Sequence, residues 1–121
     1  MANFAADGYV GTSPVGSYPA NDYGLFDMAG NVWQWTVDWY STSHEVEKSN
    51  ACCTPYNPPG ARIETSFDSA QPHIRIPRKV VKGGSFLCAP SYCRRYRPAA
   101  RQPQMMDTDM SHLGFRCIVR T

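Results

Sequence analysis

Gly24-Leu25-Phe26-Asp27-Met28-Ala29-Gly30-Asn31-Val32-Trp33-Gln34-Trp35-Thr36-Val37-Asp38-Trp39-Tyr40 holds the clearest pattern in the chain. From Val32 onward it alternates. Val32, Gln34, Thr36, Asp38 and Tyr40 fall on one side, and Trp33, Trp35, Val37 and Trp39 on the other. A period of two with three Trp on one face predicts a half-buried strand. Upstream, Gly8, Gly11, Pro14, Gly16, Pro19 and Gly24 break residues 1–24 into turns and short extended pieces. Downstream, residues 41–78 are polar and Pro-rich, including Thr54-Pro55-Tyr56-Asn57-Pro58-Pro59-Gly60, and read as a surface excursion. A second patterned region opens at Val80-Val81-Lys82-Gly83-Gly84-Ser85-Phe86-Leu87 and runs through Ser91 to Arg97. A terminal strand, Gly114-Phe115-Arg116-Cys117-Ile118-Val119, closes the chain. Helix signals are confined to a turn or two, at Ala99 to Met106 or near Ser43 to Lys48.

The 121 residues fit one domain, and 42% hydrophobic with 18% charged content describes a globular chain. Ten Pro and nine Gly point to short elements joined by loops. No apolar run is long enough to span a membrane. The net charge of +2 conceals an asymmetry. Residues 1–44 carry Asp7, Asp22, Asp27 and Asp38 without Lys or Arg, whereas residues 69–106 carry eight cations and no acid. Such a patch suits nucleic acid or an acidic peptide. No recognised nucleic-acid motif accompanies it, so pairing with the acidic front half inside one fold is the favoured reading. The five cysteines, Cys52, Cys53, Cys88, Cys93 and Cys117, are an odd number. At least one is therefore free or pairs outside the chain, which favours reactive or metal-binding chemistry over stapling.

Three blocks carry a family resemblance. Gly24 to Trp35 looks like the G-L-[YF]-[ND]-x-x-G-N-x-W-E-W signature of the formylglycine-generating (sulfatase-modifying factor) family. Lys82-Gly83-Gly84-Ser85-Phe86-Leu87-Cys88, with Ser91-Tyr92-Cys93-Arg94-Arg95-Tyr96-Arg97 and Ala99-Ala100-Arg101, looks like its catalytic core. Leu113-Gly114-Phe115-Arg116-Cys117 matches its closing strand, and Gly8 to Val15 extends the likeness. The resemblance implies an α+β, loop-rich, C-type-lectin-like fold with little regular secondary structure. The family domain is longer, and its N-terminal portion has no counterpart here, so the fold is expected to be incomplete. In some members the counterpart of Cys117 bridges to that portion. The partner of a second such bridge falls at Pro98, so that bridge cannot form.

Cys88 and Cys93 stand five apart, inside the block that marks the oxidising branch of the family. Two soft thiolates select Cu(I), zinc or an iron–sulfur cluster. Zinc and clusters want about four ligands, and no His stands at ligand spacing, so two-coordinate Cu(I) fits best. The resemblance implies copper independently. A turn at Ala89-Pro90 would fold both sulfurs toward one point, and the basic surroundings favour thiolate. The competing reading is a structural disulfide or two buried thiols. The resemblance further implies the activity: a sulfatase polypeptide, bearing cysteine in a CxPxR-type sequence, is oxidised with O2 to formylglycine. Ser85 and Trp33 would line the pocket for oxygen and the substrate sulfur. Tyr92 and Arg101 would line the peptide groove, Arg101 holding carbonyls or a carboxylate. The bland alternatives are a turn residue for Ser85 and core packing for Trp35 and Trp39.

The turn from Asp27 to Gln34 matches a family calcium loop, in which Asp27, Gly30, Val32 and Gln34 would supply oxygens, the alternative being a hydrogen-bonded turn without metal. Gln34 stands where the family has Glu, which removes a charge and keeps a carbonyl oxygen. Asp7 and Tyr9 match half of a second calcium site whose other ligands would precede Met1, so that site is expected to be weak or lost. Competing functions are a non-catalytic, lectin-like peptide-binding module, a piece of an iron-dependent sulfoxide synthase, and a nucleic-acid binder. The cysteine pair and only three His oppose the synthase. Isolated, the chain is expected to turn over poorly, because half of the groove would come from the absent N-terminal portion, and an oligomer is a further expectation. Met1-Ala2-Asn3-Phe4 lacks a secretory signal, which suggests the cytoplasmic location of bacterial relatives.

Overall fold

The computed structural model describes residues 8–42, 60–88 and 94–119. The Trp-rich run forms strand β1, Trp33–Trp39, as the alternation requires. It is followed by a single 3-10 turn at Ile63–Thr65, then β2 (Arg78–Lys82), β3 (Gln102–Met105) and β4 (Leu113–Gly114). They make a four-stranded sheet in the order β3-β2-β1-β4. β1 and β3 flank β2 antiparallel, while β4 lies parallel to β1, with Trp33 opposite Leu113.

The core sits at the centre of this sheet. Val80 and Val81 are each 2% exposed. Successive strand residues point to opposite faces, so both faces of β2 are covered. On one face Val81 clusters with Trp33 and Cys88, and Trp35 and Leu113 pack against them. The pairings Trp35 with Val81, Trp39 with Lys79 and Val81 with Gln102 extend that face. On the other face lie Gln34 and Lys82, which are register partners, together with Arg78 and Val80.

Four expectations need correction. The helical component of the α+β class is missing: no α-helix occurs among the described residues. The Ala99 to Met106 stretch forms β3 instead, because Pro103 would break a helix yet is tolerated in a strand at a sheet edge. The Ser43 to Lys48 stretch lies outside the described residues. The terminal strand pairs only at Leu113–Gly114, and beyond it Phe115, Ile118 and Val119 are exposed. Val37, assigned inward by alternation, is 76% exposed. Between Trp35 and Trp39 the register slips: four steps on β1 match two on β2, and this irregularity re-aims the side chain.

The charge asymmetry is met in part within the fold, where Lys82 of the basic run feels the charge of Asp38 from the acidic front half. Among the described residues Arg78 pairs with Asp68 at 3.3 Å, both outside the acidic front half. Cations also use rings and carbonyls. Lys79 Nζ lies 3.9 Å from the Trp39 ring centre and donates to Val37 O. Arg78 and Arg101 both approach the Tyr40 ring, at 5.2 and 5.5 Å. Each such contact contributes about 0.5–1 kcal/mol at an exposed site.

Candidate active site

The turn leaving β2 is built by two glycines in left-handed conformation, Gly83 at φ 94° and Gly84 at φ 74°. A Cβ on Gly83 would meet Met28 O at 3.3 Å, and one on Gly84 would meet the Tyr96 backbone at 3.4 Å. Two loops therefore close directly onto this turn. Gly30 N donates to Gly83 O at 2.7 Å, and Phe86 N donates to Asn31 O at 2.9 Å. Asn31, itself at φ 62°, adds a two-point clasp. Its Oδ1 accepts from Ser13 N at 3.0 Å, and its Nδ2 donates to Ser13 O at 3.2 Å. The first two family-like blocks thus lock together with the Gly8 to Val15 stretch.

Inside this frame Cys88 N donates to Ser85 O at 2.9 Å, folding residues 85–88 into one turn. Ser85 is 1% exposed, and its Oγ accepts from Leu87 N at 3.3 Å. Cys88 is 8% exposed, forms no disulfide among the described residues, and belongs to the cluster with Trp33 and Val81. Trp33 is fixed by its own N–H, which donates to His112 O at 2.8 Å. The structure therefore brings Ser85, Cys88 and Trp33 together. Tyr92 and Cys93 lie outside the described residues, as do Asp7, Cys52 and Cys53.

A cavity of about 270 Å³ opens on the same sheet face. Trp33, Val81 and Leu113 supply apolar wall, and Arg95, Gln102 and His112 supply polar groups. Among the described residues no carboxylate lines it. The sequence reading passed over Gln102 and His112. Gln102 enters because Gln102–Met105 is a strand whose register sets it opposite Val81. Reading β3 as a strand would have found it. The same alternation carries Arg101 away, since its guanidinium packs on Tyr40 beside Arg78, on the face of Val80.

Lys82 reaches from this second face to donate to Pro98 O. Burial, then the nearby Arg101 charge, pushes its pKa below the ordinary 10.5, with Asp38 partly opposing the shift.

For a soft metal, the described half of the donor pair fits. Cys88 sets one sulfur in an apolar, nearly water-free cluster. Among the described residues no group of three or more His, Cys, Asp or Glu could hold a metal. The Asp27 to Gln34 loop offers less to a hard cation. Asp27 Oδ2 accepts from Gly16 N at 2.8 Å, while Oδ1 is buried without a hydrogen-bond partner. Gln34 Nε2 donates to Asp27 O at 2.6 Å, and Gln34 Oε1 accepts from Arg116 Nε at 2.5 Å. Tyr9 is 38% exposed, and Asp7, its expected companion, lies outside the described residues.

Comparison with known proteins agrees with these blocks. The sequence profile of the sulfatase-modifying factor enzyme 1-like domain matches residues 1–121. The formylglycine-generating enzyme of Mycobacterium tuberculosis is 50% identical over 117 residues, which cover 96% of this chain and 36% of that protein. The formylglycine-generating enzyme of Mus musculus is 43% identical over 117 residues, covering 97% of this chain and 27% of that protein. An inactive C-alpha-formylglycine-generating enzyme 2 of Bos taurus is 50% identical over 42 residues, covering 34% of this chain and 14% of that protein. The chain thus spans about a third of the length of these enzymes. It belongs to the sulfatase-modifying factor enzyme 1-like family.

Proposed function

We propose that this chain carries the metal-holding part of a copper-dependent oxidase that converts a cysteine of a sulfatase polypeptide to formylglycine. The observation that supports the reading most is the shared wall: Trp33 and Val81 belong both to the Cys88 cluster and to the cavity beside it. Cu(I), held by Cys88 with Cys93, would supply the electron-transfer chemistry by which O2 oxidises the substrate thiol. The chain's own residues bind and exclude. Trp33 screens the cysteine from water, and the apolar wall receives the substrate's sulfur-bearing side chain. Gln102, Arg95 and His112 offer donors to peptide carbonyls around the cavity. Ser85 holds the 85–88 turn, and with it the Cys88 sulfur, in place through its contact with Leu87 N.

The activity of the whole enzyme requires more chain than this, because the relatives are about three times as long. Misplacing a substrate by about 1 Å costs on the order of a hundredfold in rate. Slow turnover by the isolated chain follows. The test incubates the full chain with Cu(I), O2, a thiol reductant and a peptide carrying cysteine in a CxPxR-type sequence, and reads aldehyde formation by mass spectrometry. Slow formation that disappears in Cys88→Ser is expected, and formation unchanged by that substitution would refute the reading. The second reading, a non-catalytic peptide-binding module, is favoured by the similarity to the inactive bovine protein. It requires peptide binding without copper.

A further inference from the structure

We propose that the Asp27 to Gln34 loop is closed by Gln34 and Arg116 in place of a calcium ion. Arg116 makes three contacts with the loop from more than 80 residues away in sequence. Its Nε donates to Gln34 Oε1, Nη1 donates to Phe26 O at 3.1 Å, and Nη2 donates to Asp27 O at 3.2 Å. The guanidinium thus takes up Gln34 Oε1, one of the oxygens expected to meet the ion, and ties the Phe26 and Asp27 carbonyls to the closing strand.

The orientation of the Gln34 amide follows from its two neighbours. A carbonyl on one side requires the Nε2 donor, and a guanidinium on the other requires the Oε1 acceptor. A glutamate here would set a carboxylate oxygen against Asp27 O, two acceptors at 2.6 Å, a contact that a cation between them would relieve. With glutamine the amide hydrogen does so. The ligand set is correspondingly poor for calcium, which takes roughly six to eight oxygens and gains affinity with carboxylate count. Asp27 Oδ1 is one buried anionic oxygen with no partner, and the Gln34 oxygen is engaged elsewhere.

The test uses the full chain and reads binding and stability, not activity. Calcium is titrated calorimetrically into parent and Gln34→Glu, and both are melted in EDTA and in excess calcium. The parent should show no saturable uptake below about 1 mM, and its midpoint should move by less than about 1 °C between the two conditions. Gln34→Glu should melt lower than the parent in EDTA and regain at least about 4 °C with calcium. Sub-millimolar uptake by the parent would overturn the proposal. So would a Gln34→Glu protein as stable as the parent in EDTA. Should Gln34→Glu fail to fold under either condition, the parent's titration alone decides.

Discussion

Asn31→Ala is expected to destabilise the fold by roughly 3 kcal/mol, more than its small side chain suggests. Asn31 is buried and joins the Ser13 backbone, the Asp27 to Gln34 loop and the Phe86 turn. Alanine removes both amide bonds to Ser13 and leaves a buried N–H and C=O without partners, at about 1 kcal/mol each. It also places a Cβ-bearing residue without a compensating side chain at φ 62°, which costs about another 1 kcal/mol. Asn31→Gly removes the same two bonds but not the backbone freedom, so it should cost about 2 kcal/mol. Urea unfolding of parent, Ala and Gly variants at neutral pH, followed by Trp fluorescence, measures all three. The Ala–Gly difference isolates the left-handed backbone. An Asn31→Ala protein within about 0.5 kcal/mol of the parent would refute the clasp.

Val81→Ala, at a fully buried position against Trp33 and Cys88, should cost roughly 2 kcal/mol in the same urea assay and alter Trp33 emission. For Lys82, the folded state releases its proton below the ordinary 10.5, so between those pH values the unfolded chain binds more protons. Lys82 therefore adds stability as pH rises through its lowered folded pKa toward 10.5, and Lys82→Met should lose that alkaline rise in paired melting curves. Tyr40→Leu removes the ring under Arg78 and Arg101 and should cost about 1–2 kcal/mol by urea unfolding, with the cavity face unaffected.

The sheet's centre was legible because β1 and β2 are written in alternation and β-branched residues, which need only local pattern to read. β3 was not, since Gln102-Pro103-Gln104-Met105 has no apolar alternation and owes its conformation to pairing with Arg78 to Val81. That one miss hid Gln102 in the cavity. The slip in β1 was equally invisible, because it arises from pairing between distant strands and not from the residues around Val37. The meeting of Ser85, Cys88 and Trp33 was anticipated through family likeness, not through spacing. The Gln34 substitution was visible in sequence. The guanidinium that answers it, 82 residues away, was not.

Copper stoichiometry tests the central claim most directly. Native mass spectrometry of the parent, Cys88→Ser and Cys93→Ser after loading with Cu(I) should show one copper per chain in the parent and none in either variant. One copper retained in both variants would contradict the account.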